Sequence, residues 1–242
     1  MKNISLIVAK YKEDLSWTKS LKNKYNIFVY DKNNNFSKDD FDIDPVYRND
    51  NNKIFCSLPN IGRESHTYLY HIVKNYHKLN DINIFIQGNP FDHVSDIFEK
   101  IENNLNKDFY PLSRIVTQKK QDFINQLDDK ISFYYGNQYS LYKELFNKEL
   151  PEKYSVGIHG MFIVSKETIL KNDIKIYEQC LDKFNSKKYL TGFCMTDLNE
   201  YNCAKCFNKN IYNLYNGIPN GEGFAWMFEY FWDLLFHKQI NL

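Results

Sequence analysis

Lys53-Ile54-Phe55-Cys56-Ser57-Leu58, then Pro59-Asn60-Ile61-Gly62-Arg63-Glu64-Ser65-His66-Thr67, and later Asp81-Ile82-Asn83-Ile84-Phe85-Ile86-Gln87 read as strand, helix and strand. Between the two apolar runs, Leu69, Ile72, Val73 and Tyr76 recur at i, i+3, i+4 and i+7, the stripe of an amphipathic helix over Gly62–Lys78. A short, fully apolar run suits a parallel strand covered on both faces. A helix joining two such strands is the unit from which an α/β sheet is built.

The same grammar extends outward. Ile4–Ala9 is a fully apolar first strand, Tyr11–Asp14 a polar loop and Leu15–Lys24 a short helix. Asn26–Tyr30 is a second strand, and the Asn/Asp-rich stretch from Asn33 to Asn52 reads as an irregular surface excursion. Beyond the fourth strand, Val94–Leu105 forms a second amphipathic helix, while the aromatic-rich Phe109–Leu150 fits either element type. Ile158–Ser165 reads as a strand meeting a capping box at Ser165-Lys166-Glu167-Thr168, and Glu222–His237 as an aromatic helix. No linker and no repeat interrupts the chain. The expectation is one α/β domain over residues 1–242, with a mixed, mostly parallel sheet flanked by helices.

Composition bounds the function. The 242 residues are 43% hydrophobic and 17% aromatic, with 19 Tyr and 19 Phe, enough to bury a sizeable core. A net charge of +1 gives no long-range attraction to nucleic acid or anionic lipid. No apolar run approaches the roughly 20 residues of a membrane helix. The first residues read as a strand rather than a signal peptide, and five cysteines in a chain of this size fit reduced thiols. The location implied is cytoplasmic, at most peripheral to a membrane.

Polar chemistry gathers in two knots at strand ends, where ligand crevices of α/β sheets lie. At Asn60–Thr67, a helix starting near Gly62 offers free N–H groups and the positive end of its dipole, and Arg63 adds a fixed cation. Alternatively, Asn60 is a helix cap, with Arg63 and Glu64 surface charges. His66 shares a helical face with Leu69 and Val73, and an inward histidine serves a core as readily as a site. At Gln87-Gly88-Asn89-Pro90-Phe91-Asp92-His93, Asp92 and His93 could ligate a metal, with Gln87 and Asn89 as neutral donors. A plain turn capped by Asp92 explains the same residues.

Glu229 sits among the aromatics of the last helix. Buried there, it needs a partner such as Arg63 or Arg114, or its pKa rises toward that of a general base. Cys203-x-x-Cys206, with Cys180 and Cys194 upstream, lacks the second pair of a zinc cluster, so buried thiols are the default. The absence of G-x-S-x-G, Walker and G-x-G-x-x-G motifs argues against a serine hydrolase, a P-loop enzyme and a Rossmann dehydrogenase.

Val8–Trp17, Leu58–Glu64 with Thr67-Tyr68-Leu69, Phe85–His93, Gly160–Ser165 and Glu229–Trp232 together resemble a family catalogued only as a domain of unknown function. The layout is also similar to GT-A glycosyltransferases. These place a polar loop after the first strand at the nucleotide base, carry an Asn-x-Gly-Arg-Asp segment like Asn60–Glu64, and present an acidic loop after the fourth strand. Here Gln87-Gly88-Asn89 stands where Asp-x-Asp would be.

The resemblance implies sugar transfer from a nucleotide-sugar to a glycan or glycolipid acceptor. Tyr11, Glu13 and Asp14 would line the base pocket, and Asn60, Gly62, Arg63, Glu64, His66, Gln87, Asn89 and His159 the rest of the substrate site. Asp92 or Glu229 would be catalytic. Asp92 and His93 would touch a Mn²⁺ or Mg²⁺ ion held jointly with the donor diphosphate. The alternatives are a metal-dependent hydrolase of a phosphoester or glycoside, and a non-catalytic carbohydrate-binding protein.

Overall fold

The computed structural model describes residues 2–33, 47–50, 53–119, 138, 141–185 and 222–236. Its strands are β1 Ile4–Lys10, β2 Asn26–Asp31, β3 Tyr47–Asp50, β4 Lys53–Ser57, β5 Ile82–Gln87, β6 Phe109–Pro111, β7 Ile115–Lys119, β8 Lys153–Gly157 and β9 Phe162–Ser165. Its helices are α1 Arg63–Asn75, α2 Ile97–Asn104, α3 Lys166–Ile169, α4 Ile174–Asn185, α5 Glu222–Glu229 and α6 Trp232–Phe236.

Seven strands form one sheet in the order β3-β4-β2-β1-β5-β9-β6, and β7 pairs with β8 in a separate ribbon. β4, β2, β1 and β5 are mutually parallel, with Val8 of β1 opposite Val29 on one side and Ile86 on the other. β9 runs antiparallel to β5 and to β6, so β6 points the same way as the central four. The mixed α/β sheet flanked by helices is the class the sequence implies.

Side-chain alternation along the central strands divides the core. Ile7, Phe85 and Phe162 face α1, α4, α5 and α6, while Leu6, Val8, Ile84 and Ile86 face α2 and the 3-10 turn Ser16–Leu21. Below the carboxyl ends of the strands, Tyr68, Phe85, Phe162 and Trp232 stack in sequence with ring centroids 5.1, 4.9 and 5.0 Å apart. Each such contact contributes about 0.5–1.5 kcal/mol beyond burial, and the chain of rings locks α1, β5, β9 and α6 together.

Several element boundaries differ from the sequence reading. Within the supposed excursion, Tyr47–Asp50 is an edge strand antiparallel to β4, because Arg48 and Asn49 pair with Phe55 and Ile54. Residues 34–46 and 51–52 lie outside the described part. The helix expected from Val94 starts at Ile97. Ile158–Ser165 is a 3-10 turn, Ile158–Gly160, followed by β9, because His159 and Gly160 have φ of +71° and +60° and cannot extend a strand. Ser165 is the helix cap: its Oγ accepts the Thr168 N–H at 3.2 Å. The last helix breaks at Tyr230-Phe231, where i→i−3 bonds to Met227 and Phe228 tighten and end α5. None of the described helices is long and apolar enough to cross a membrane.

Candidate functional site

β1 leads through the Ser16–Leu21 turn to β2 on one side, whereas β4 leads through α1 back past β1 to β5 on the other. The two connections cover opposite faces of the sheet. β1 and β5 are thus the strands between which the winding reverses, and their carboxyl ends open a crevice. Three segments border it: the Tyr11–Asp14 loop, which meets the Gln87–His93 loop at Gly88, the Gln87–His93 loop itself, and the start of α1. The Ile158–Gly160 turn packs against the latter two.

The first loop is tied down by its own acids. Glu13 Oε2 accepts the Tyr11 N–H at 2.6 Å, and Asp14 accepts both the amide and the hydroxyl of Ser16 at 2.9 and 2.6 Å. The Ser16 side-chain bond is the main cause holding Asp14 below the usual carboxylate range. Trp17 Nε1 donates to the Gly88 carbonyl at 3.0 Å and joins this loop to the end of β5. Tyr11 stands exposed at the rim.

α1 begins in an unusual way. Gly62 and Arg63 both have left-handed backbone, at φ +60° and +48°, and no side chain caps the helix. Asn60 is exposed two residues earlier and is not the cap. Lys32, just past β2, is buried and donates from Nζ to the carbonyls of Ile61, at 2.6 Å, and of Arg63. Burial lowers its pKa to about 7, against the opposing pull of Glu64. These bonds hold the left-handed pair, and Gly62 sits where a Cβ would collide with the Phe184 ring and with His66. His66 is buried against Phe184, with ring centroids 6.1 Å apart.

The turn opposite is fixed from three sides. His159 donates its N–H to Glu229 Oε1, its carbonyl accepts Gln87 Nε2 at 3.0 Å, and its ring stacks on His93 with centroids 3.8 Å apart. Burial, then the neighbouring His93, lowers the His159 pKa. Glu229 is pushed up to about 7, first by burial and then by Glu64, with the His159 N–H and Arg63 acting the other way. The expected partner of Glu229 is therefore a backbone amide and the field of Arg63. The ion pair of the Arg63 Nε is with Glu64, at 3.6 Å.

Arg63, Glu64, His159 and Glu229 come together, with Gln87 and His93 joined through His159. Tyr11, Glu13 and Asp14 form the neighbouring wall at Gly88. Asn89 is half-buried ahead of the 3-10 turn Pro90–Asp92, and Asp92 is exposed on it. Among the described residues no three His, Cys, Asp or Glu side chains converge as a metal set, so Asp92 and His93 are not completed into one. Cys194, Cys203 and Cys206 lie outside the described residues, and Cys180 is a buried free thiol.

Sequence reasoning missed Lys32, Tyr68 and Asp233. Asp233, one turn beyond Glu229, is buried, accepts the Gly157 N–H at 2.7 Å and is raised to about 7 by burial. The available signals were a lysine directly after a strand, and carboxylates spaced i, i+4 in an aromatic segment.

Residues 6–109 match a family described as Protein of unknown function (DUF3431). The DUF3431 match contains most of β1, all of α1 and β5, and all three crevice segments, and it stops before the His159 turn and Glu229. No curated protein and no solved structure matches the chain.

A second opening, of about 670 Å³, lies at the amino ends of β1 and β2, lined by Ser5, Asn26, Phe28, His71, Lys74 and Asn80 among others. Much of its polar chemistry is internally satisfied. Tyr30 bonds His71 at 2.8 Å, Asn80 bonds Ser5 at 2.8 Å, and Asn75 bonds the His71 carbonyl at 2.9 Å. Burial holds His71 neutral, near pKa 3. The strand-end crevice, where Glu64 Oε1 and Asp233 Oδ1 are buried without a hydrogen-bond partner, is the stronger candidate.

Proposed function

We propose that the chain is a glycosyltransferase, moving a sugar from a nucleotide-sugar donor to a hydroxyl of a glycan or glycolipid acceptor. The observation that carries this reading is the placement of Arg63 and the uncapped start of α1 beside Glu229, at the point where the winding of the sheet reverses. A donor diphosphate there would meet a cation and the first-turn N–H groups of a 13-residue helix. The Tyr11–Asp14 loop would face the nucleoside, with the exposed Tyr11 ring, which Lys12 Nζ covers on one face at 5.0 Å, offering its other face for stacking.

In this reading Glu229 is the base. It takes the proton of the acceptor hydroxyl, the acceptor oxygen bonds to the anomeric carbon, and the bond from that carbon to the donor phosphate breaks. The nucleoside diphosphate leaves with the electron pair, its charge met by Arg63 and the helix start. A carboxyl whose pKa is near 7 is matched to this task. Asp92, exposed on its turn, is the weaker choice. Among the described residues Asp92 and His93 are not joined by a third ligand, so a Mn²⁺ or Mg²⁺ ion there would be held jointly with the donor diphosphate, and Arg63 and α1 would share the neutralisation of its charge.

The test is a thermal-shift panel of nucleoside diphosphates and their sugar conjugates, with and without Mn²⁺ or Mg²⁺. One of them should raise the melting temperature, since a ligand at 100 times its Kd stabilises by about 2.7 kcal/mol. A flat response across the panel removes the transferase reading.

A further inference from the structure

Gly160 marks the spot where two acids from distant parts of the chain face each other. A Cβ built on it would lie 3.5 Å from Glu229 Cγ and 3.6 Å from Glu64 Oε1, and at φ +60° the backbone itself favours glycine. Glu64 is 7% exposed, and its Oε1 is buried without a hydrogen-bond partner. Its other oxygen is the one near Arg63 Nε. One turn along α1, the Tyr68 hydroxyl is also buried and without a hydrogen bond, and both carboxylates act on it.

The charges around Glu229 come from three elements. α1 presents Arg63, Glu64 and Tyr68. The 3-10 turn presents the His159 amide, whose ring is stacked on His93. On α6, Asp233 is turned to the Gly157 amide instead. Lys32 acts on Glu64 from the end of β2. Of the two side-chain charges acting on Glu229, Glu64 favours its protonated form and Arg63 its ionised form. Arg63 is the more accessible of these, 42% exposed at the mouth of the site.

We propose that Arg63, Glu64 and Glu229 couple anion binding to proton binding: a diphosphate that engages Arg63 leaves Glu64 dominant and makes Glu229 hold a proton more tightly. The coupling rests on the diphosphate site of the transferase reading. It has a catalytic consequence. The donor complex carries a stronger base than the free protein, and the transfer rate rises with pH through a midpoint higher than that of unliganded Glu229. By reciprocity, protonation of Glu229 tightens the grip on the anion.

The probe is inorganic pyrophosphate, titrated into the full chain by calorimetry in two buffers of different ionisation heat near pH 7.5. A rise of one unit, the low end for a charge this close, takes up roughly half a proton per ligand. The uptake should vanish in Glu229→Gln and shrink in Glu64→Gln while both variants still bind. The titration of pyrophosphate itself is common to all three proteins and drops out of the difference. Binding with the same proton count in wild type and Glu229→Gln overturns the coupling and leaves the diphosphate site standing. Failure to bind overturns both. Should a variant not fold, infrared titration in the wild type, where the protonated carboxyls of Glu229 and Asp233 both titrate near 7, decides: one of the two midpoints moves up with saturating pyrophosphate while the other stays, or the coupling is wrong.

Discussion

Glu13 lies across Gly88, so that a Cβ on Gly88 would come within 2.6 Å of Glu13 Oε2 and 3.1 Å of Glu13 Cβ. The same oxygen accepts the Tyr11 amide, and the Gly88 carbonyl accepts Trp17 Nε1. The loops after β1 and β5 are thereby one unit, and residue 88 is the joint.

Gly88→Ala should push Glu13 away from Tyr11 at a cost of about 1–2 kcal/mol, as for a small overpacking change. Nucleoside-diphosphate stabilisation should fall more than folding stability does. Denaturant melts with and without ligand measure both, and an unchanged ligand shift in Gly88→Ala would remove the first loop from the binding site.

Gly62→Ala meets two obstacles at once: the left-handed φ of +60° and the Phe184 ring where the new methyl would go. The expected loss is about 2–4 kcal/mol, backbone strain plus overpacking, read from the urea midpoint. Phe184→Ala should not rescue it, since the φ penalty stays and a core ring is lost.

Lys32 is held from its ordinary 10.5 to about 7 by burial. Between those values the folded chain binds fewer protons than the unfolded one, so this residue makes stability rise with pH over that window and fall as pH drops through 7. Lys32→Met should abolish that slope. It should still lower stability at pH 8 by about 1–3 kcal/mol, because the Ile61 and Arg63 carbonyls lose their donor. Chemical denaturation across pH 6–10 checks slope and offset together.

Glu229 gives the opposite sign. Raised from 4.5 to about 7, it lets the folded chain bind the extra proton, so its contribution is whole below 4.5 and is lost as pH rises through 7. The stability difference between Glu229→Gln and wild type should swing toward the variant by roughly 3 kcal/mol from pH 4.5 to 8. Asp233 titrates in the same direction in both proteins and cancels. A difference that stays flat with pH would place Glu229 in solvent and remove it as the base.

The α/β class, the helix on Leu69, Ile72, Val73 and Tyr76, the strands flanking it and the two strand-end knots could all be read before any coordinates. Each depends on interactions within one element, where apolar spacing and chain chemistry suffice. The errors have the same origin. Tyr47–Asp50 carries no alternating apolar signal and becomes a strand only because β4 offers it an edge. The last helix keeps its aromatic pattern across Tyr230-Phe231, so the break there was invisible.

The sequence by itself determined where α1 and the central strands form, that a cation and acids stand at their ends, and that Glu229 lies among aromatic residues. Tertiary structure decided which of those groups meet. It set Glu64 against Glu229 across Gly160, put Lys32 under the first turn of α1, turned Asp233 to Gly157 and left Asp92 exposed. The physical reason is range. Periodicity reports the environment along one element, whereas desolvation and charge–charge fields depend on every element packed around a group. For these acids the decisive neighbours come from segments far apart in the chain.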